Sequence, residues 1–226
     1  METFKRTALV VGASGLVGGH CLQYLIKDDV YSSVTILVRK EIALQHPKLH
    51  QHIVNFDRLD ENSSLIKADD IFCCLGTTIS KAGSKANFKK VDLEYPLKAA
   101  QIALANGANQ YLLVTAMGAN KWSLIFYNRV KGEVEDALKK PGYQAVHIFR
   151  PSLLLGERKE TRVGEKLGTI LFNATSPLFL GPLKKFRAIQ AKAVAGAMVV
   201  CAKRNSKGVF VYESNEIQKI FDKEKI

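Results

Sequence analysis

Thr7-Ala8-Leu9-Val10-Val11-Gly12-Ala13-Ser14-Gly15-Leu16-Val17-Gly18 decides the fold. A short β-branched run opens into three glycines spaced G-x-x-G-x-x-G, and Leu16–Ile26 then carries apolar residues at helical spacing. A strand that turns through glycines into a helix is the phosphate-binding corner of a nucleotide-binding sheet. Gly12 permits the turn, Gly15 lets backbone approach a pyrophosphate, and Gly18 lets helix and sheet close on each other. The helix N-terminus offers free N–H groups and partial positive charge to the anion. The chain has no G-x-x-x-x-G-K-[ST], which argues against ATP hydrolysis of the P-loop type.

Outward from this corner, short apolar runs alternate with helical patterns. Strands are expected at Val34–Val38, Ile53–Phe56, Asp70–Leu75, Tyr111–Thr115 and Ala145–Phe149, and helices at Ala86–Ala105 and Trp122–Lys139. Strands that are apolar throughout are buried on both faces, which implies a parallel sheet covered by helices on each side. The expected fold is α/β, a doubly wound parallel sheet of the Rossmann type. After Arg150-Pro151 the rhythm loosens, then returns as a helix at Ile189–Lys203, a strand at Gly208–Tyr212 and a helix at Ser214–Phe221. The 226 residues read as a single domain, 1–226, in which 156–188 forms a small C-terminal cap over the carboxyl edge of the sheet.

Composition narrows the function classes. Lys and Arg number 33 against 21 Asp and Glu, a formal charge of +12. Such an excess suits an anionic cofactor and also invites nucleic acid. The lysines, however, fall in scattered pairs (89–90, 139–140, 184–185) with no aromatic-basic platform and no reading helix, so no specific nucleic-acid partner is expected. The four cysteines form no C-x-x-C and fit a reducing compartment. His46, His50 and His52 read as a solvated loop, and no metal site is expected. No secretory signal and no membrane span is read, and the expected location is the cytoplasm.

Two further patterns carry chemistry. An acid at the end of the second strand accepts from the ribose 2′-hydroxyl of NAD; here Val38 is followed by Arg39 and Lys40, which suit a 2′-phosphate, with Glu41 as the competing acid if the strand ends later. NADP(H) is therefore preferred over NAD(H). Tyr127 and Lys131 form a Y-x-x-x-K on the helix after the fifth strand, and positions i and i+4 share one face. A free tyrosine titrates near ~10, and a neighbouring ammonium brings the phenol towards the working pH as a proton donor. Lys131 can also hold the nicotinamide ribose. The hydroxyl that orients a carbonyl is assigned to Thr115, with Ser123 as competitor.

Gly12–Gly18, CCLGTT at Cys73–Thr78, KAG at Lys81–Gly83, FYNRVKGEVE at Phe126–Glu135 and FRPSLLLGERKE at Phe149–Glu160 together resemble a known family. It is the atypical, NmrA-like branch of the short-chain dehydrogenase/reductases, close to the oxidoreductase family of the HIV Tat-interacting tumour suppressor and its bacterial relatives. The resemblance implies NADPH bound at the carboxyl ends of the strands. Carried across, Gly12, Ser14, Gly15, Leu16 and Val17 line the pyrophosphate, and Arg39 and Lys40 lie near the adenosine phosphate. Asp57 sits by the adenine, Leu75, Gly76 and Thr77 lead to the ribose, and Pro151 and Ser152 flank the nicotinamide. Tyr127 and Lys131 are the catalytic pair. Thr115 departs from the usual serine, keeping the hydroxyl but restricting χ1.

The leading expectation is an NADPH-dependent oxidoreductase acting on a small carbonyl or alcohol, with Arg158, Arg162, Glu165 and Arg187 of the cap shaping the substrate site. The competing expectation is an NADP(H)-responsive regulatory binding protein without turnover. Substrate identity, reaction direction and the choice between monomer and homodimer stay open.

Overall fold

The computed structural model describes residues 5–140, 142–156 and 186–224. The chain runs β1 (Arg6–Val11), α1 (Leu16–Lys27), β2 (Tyr31–Val38), β3 (Leu49–Ile53), a 3-10 segment (Phe56–Leu65) and β4 (Asp70–Cys73). Then come α2 (Ile79–Ala82), α3 (Lys85–Lys89), a π-turn (Lys90–Glu94), α4 (Tyr95–Ala105), β5 (Gln110–Val114), α5 (Phe126–Leu138) and β6 (Ala145–Arg150). The described part closes with β7 (Leu154–Leu155), β8 (Ile189–Gln190), α6 (Ala191–Lys203), β9 (Gly208–Glu213) and α7 (Ser214–Lys223). Seven strands make one sheet in the order β3-β2-β1-β4-β5-β6-β9, with every pairing parallel. The two-residue strands β7 and β8 pair separately.

Alternation within each central strand feeds two cores. Ala8, Val10, Ile36, Phe72, Leu112 and Phe149 point to one face, where they pack with residues of α1, α6 and α7. Leu9, Val11, Leu37, Ile71, Cys73, Leu113 and Ile148 point to the other, against residues of α4, α5 and the 3-10 segment. With both faces covered, no polar alternation survives in the sequence of these strands. The strand order reverses between β1 and β4, and the crevice at that reversal is where ligands sit in such sheets.

Three expectations need correction. The third strand is Leu49–Ile53, not Ile53–Phe56. It is an edge strand whose side chains are half-buried or exposed, so Leu-His-Gln-His-Ile carries little apolar signal. His50 and His52 therefore lie in a strand; Phe56 opens the 3-10 segment, capped where Asn55 accepts from the Asp57 N–H. The helix expected over Ala86–Ala105 is interrupted at Lys90–Glu94. Pro96 stands in the first turn of α4 and has no N–H for the carbonyl of Asp92, so the α-helical ladder cannot run through. The helix expected from Trp122 begins only at Phe126, and Trp122, Leu124 and Ile125 are exposed in the preceding loop. Most of the 156–188 segment lies outside the described residues.

All four cysteines are free thiols. Among the described residues no group of His, Cys, Asp and Glu is arranged to hold a metal ion, and no helix is long and apolar enough to cross a membrane.

Candidate functional site

The glycine loop is shaped by close packing. Gly12 has φ +91°, and a Cβ there would lie 2.7 Å from the Cys74 carbonyl carbon. A Cβ on Gly18 would stand 2.2 Å from the Gly12 oxygen. The turn out of β1 is thus pressed on one side by the exit of β4 and on the other by α1. Gly15 caps α1, with its N–H donating to the Gly12 carbonyl at 3.0 Å. No side chain caps the helix and no acid stands in its first turn, so its positive end is open to an anion. Ser14 and Gly15 are exposed, while the Val17 side chain is buried in the core. Leu16 lies against the Gly156 backbone.

Leu75, Gly76 and Thr77 leave β4 beside this turn. At the end of β2, Arg39 is the first residue beyond the strand and both Arg39 and Lys40 are exposed; Glu41 stands three residues beyond Val38. Asp57 accepts from the Tyr95 hydroxyl at 2.8 Å and from Lys90 Nζ at 3.0 Å. The Tyr95 hydrogen bond, then that of Lys90, holds its carboxyl below the ordinary range. Tyr95 is pushed up to about 12 by burial and by Asp57, and the charge of Arg39 acts in the opposite sense. Asp57, Lys90, Tyr95 and Arg39 therefore form one polar cluster on the β2 side.

Tyr127 and Lys131 lie one turn apart on α5. Tyr127 is half-buried, its ring 5.6 Å from that of Phe88. The Lys131 side chain is 5% exposed and forms an ion pair at 2.7 Å with Asp92 Oδ1, whose side chain is fully buried. Asp92 Oδ2 accepts the Thr77 N–H at 3.0 Å. Gly76 lies over the pair: a Cβ there would be 3.6 Å from Asp92 Oδ1 and 3.7 Å from Lys131 Nζ. Burial acts to lower the pKa of Lys131, but the charge of Asp92 and then Tyr127 outweigh it, and the net shift is upward. Lys131 is thus held as an ammonium.

The loop from β5 to α5 crosses the helix at the residue after Lys131. A Cβ on Gly132 would stand 2.1 Å from the Lys121 nitrogen and 2.2 Å from the Asn120 carbonyl carbon. Asn120 N–H donates to the Asn128 carbonyl at 3.0 Å, and Arg129 donates to the Ser123 carbonyl at 2.9 Å. The Ser123 hydroxyl oxygen accepts from the Ile125 N–H at 3.1 Å.

Among the described residues, no hydrogen bond links Thr115 to Tyr127 or Lys131. Thr115 is 5% exposed, and its hydroxyl donates to Glu135 Oε1 at 2.6 Å. Glu135 in turn receives Arg150, whose Nε lies 3.0 and 3.2 Å from its two oxygens, and Arg150 also reaches Glu213 at 3.3 Å. The expected carbonyl-orienting role of Thr115 meets a hydroxyl whose proton is already engaged by a carboxylate. Pro151 is buried and its carbonyl accepts from the Met117 N–H at 2.9 Å. Ser152 donates its N–H to the Ser214 hydroxyl oxygen at 2.6 Å and its own hydroxyl to the Arg187 carbonyl. Arg158, Arg162 and Glu165 lie outside the described residues. Sequence reasoning passed over Asp92 and Gly132. Pro96 four residues after Asp92, and a glycine directly following Lys131 inside a helix, were the available signals.

No protein-family model matches the chain. Individual relatives do. Protein HTATIP2 of Rattus norvegicus is 36% identical over 180 residues, 76% of this chain and 74% of that protein. The chain belongs to the HTATIP2/FMP52 family. Another member, Protein FMP52, mitochondrial, of Candida albicans, is 34% identical over 202 residues, 86% of each chain. Solved structures share the fold. WbmH of Bordetella bronchiseptica in complex with NAD+ superposes with a TM-score of 0.70 at 14% identity, over 96% of this chain and 80% of its own. Human SDR39U1 with NADPH gives 0.63 at 19% identity, over 92% and 74%. The family and the Rossmann-type fold read from the sequence are thereby established. The expected cytoplasmic location is corrected, because the relatives from Candida albicans, Aspergillus clavatus, Scheffersomyces stipitis and Eremothecium gossypii are named mitochondrial. Free thiols record only that the fold needs no disulfide; they do not choose among compartments.

Proposed function

We propose that this protein is an NADP(H)-dependent oxidoreductase that passes hydride between the nicotinamide and a small carbonyl or alcohol substrate. The observation that carries the reading is the pairing of half-buried Tyr127 with the buried Lys131 ammonium, packed against Gly76 on the loop that leaves the switch point. The uncapped N-terminus of α1, with Ser14 and Gly15 exposed beside it, fits a pyrophosphate. Gly12, Ser14, Gly15, Leu16, Val17 and Gly18 form that cradle. In this reading Arg39 and Lys40 would take a 2′-phosphate, Asp57 and Leu75–Thr77 the adenosine side, and Pro151 and Ser152 the nicotinamide side. SDR39U1 holds NADPH and WbmH holds NAD+ on the same fold, which supports a nicotinamide cofactor here.

The cofactor supplies or accepts the hydride. In the reducing direction Tyr127 gives its phenolic proton to the carbonyl oxygen as negative charge develops there, and in the oxidising direction it takes the alcohol proton. Lys131 would stand as a positive charge one turn from the phenol and would hold the nicotinamide ribose. With Thr115 engaged by Glu135, the loop hydroxyl that retains its proton for the substrate oxygen is Ser123. The chain is read as a single domain, 1–226, with 156–188 as its cap.

Parallel titrations with NADPH and NADH test the cofactor preference. An arginine–phosphate bond of about 1.5–3 kcal/mol predicts one to two decades in favour of NADPH, and equal affinities would remove the preference. Tyr127→Phe is expected to cut turnover about 10²–10⁴-fold with NADPH affinity unchanged; unaltered turnover would remove Tyr127 from the chemistry. A second reading, nucleotide binding without turnover, is favoured by the engagement of Thr115. A broad carbonyl screen with bound but unoxidised NADPH would select it.

A further inference from the structure

We infer that Asp92 is the positioning residue of this site: its buried carboxylate holds the Lys131 ammonium one turn from Tyr127 and ties it to the loop at Gly76 and Thr77. The inference rests on the functional reading above for what the lysine does, but the geometry stands by itself. One carboxylate joins three elements. Oδ1 meets Lys131 on α5 at 2.7 Å, Oδ2 takes the Thr77 N–H at 3.0 Å, and the residue itself sits in the π-turn between α3 and α4. The turn exists because Pro96 has no N–H for the Asp92 carbonyl, and within it Asp92 is the one buried residue. Widened turns of this kind are frequent at functional sites.

The groups facing the Lys131 ammonium are Asp92 from the π-turn, Tyr127 from its own helix and Cys73 from β4. Burial pushes the Cys73 thiol up to about 11, so it is neutral at working pH. Asp92 is then the counter-ion that lets a buried lysine stay charged. An ammonium so placed keeps its remaining protons for a ligand, and Gly76, having no side chain, leaves Nζ uncovered on that side. Without the carboxylate, desolvation acts unopposed and the lysine loses its proton at lower pH.

Asp92→Asn preserves shape and removes the charge. In the ligand-free protein, the stability deficit of Asp92→Asn relative to wild type is expected to shrink as pH rises from 6 to 9. The lysine then has a folded-state pKa below its unfolded value, the unfolded chain binds more protons, and stability rises with pH. A deficit that is flat with pH would show that Asp92 acts only through the Thr77 hydrogen bond and would overturn the inference. Should Asp92→Asn fail to fold, the double variant Asp92→Asn/Lys131→Met decides. Removing both charges is expected to restore folding, and a double variant no better than the single one would overturn the inference. With nucleotide, Asp92→Asn is expected to bind NADPH about tenfold more weakly, the size of one lost charge-assisted hydrogen bond. That loss should deepen with rising pH and add nothing to the loss caused by Lys131→Met. Additive losses would overturn the positioning role. Failure of the wild-type protein to bind either nucleotide would instead defeat the functional reading, and the ligand-free cycle would still report on Asp92.

Discussion

Lys131 and Glu135 lie one turn apart on the same face of α5, both are buried, and each is paired with an opposite charge. Their surroundings differ. Glu135 is saturated: Arg150 binds both of its oxygens, Thr115 donates to one of them, and Glu213 anchors the far side of the guanidinium. Lys131 has one carboxylate beside it and a glycine backbone above it. The first arrangement clamps the carboxyl ends of β5, β6 and β9 to the helix. The second leaves an ammonium with protons to give. Burial of charge alone does not mark a candidate functional residue; incomplete satisfaction beside the crevice at the strand-order reversal is the better pointer.

Four substitutions break or sharpen this contrast. Arg150→Met, the largest, leaves Glu135 buried without its counter-ion and is expected to cost about 3–5 kcal/mol of stability. Urea unfolding should show the loss while nucleotide affinity, measured below the transition, stays the same; a large fall in affinity would make the clamp part of the binding site. Gly132→Ala forces the Asn120–Lys121 backbone off α5 and is expected to lower turnover about 10²-fold, read by steady-state kinetics against an NADPH titration that changes little. Thr115→Val removes one hydrogen bond to a carboxylate, about 1.5 kcal/mol, and should leave the turnover number of the folded enzyme intact. Loss of turnover at constant stability would return Thr115 to the chemistry and displace Ser123. Glu133→Gln breaks the half-exposed pair with Lys89 at 3.4 Å, which runs from α3 to α5. Thermal unfolding should register under about 1 kcal/mol, and less in high salt.

The glycine corner was legible because its constraints are local. Strand, turn and helix are contiguous, and the clashes that a Cβ would make at Gly18 involve Gly12 and Ala13 of the same motif. The central strands were legible because burial on both faces writes itself as unbroken hydrophobicity. β3 was displaced in the reading because an edge strand has no such signature. The α3–α4 region read as one helix because its residues have helical propensity throughout, and a proline in the first turn of a new helix looks like a tolerated one. The surroundings of Thr115 were hidden for a related reason. Its position after β5 suggested a hydroxyl facing the crevice, but what its hydroxyl meets is Glu135, twenty residues later in the chain.

By itself, the sequence determined the class of fold, the family, the glycine corner, the cations after β2 and the placement of Tyr127 one turn from Lys131. All of these depend on residues within a few positions of one another, where backbone sterics and helical periodicity suffice. The tertiary structure alone decided which buried charges are satisfied. Asp92 meets Lys131 across 39 positions and Arg150 meets Glu135 from the neighbouring strand. The pKa of a buried group follows from the charges and dipoles that the fold places around it, and no local pattern in the chain records them.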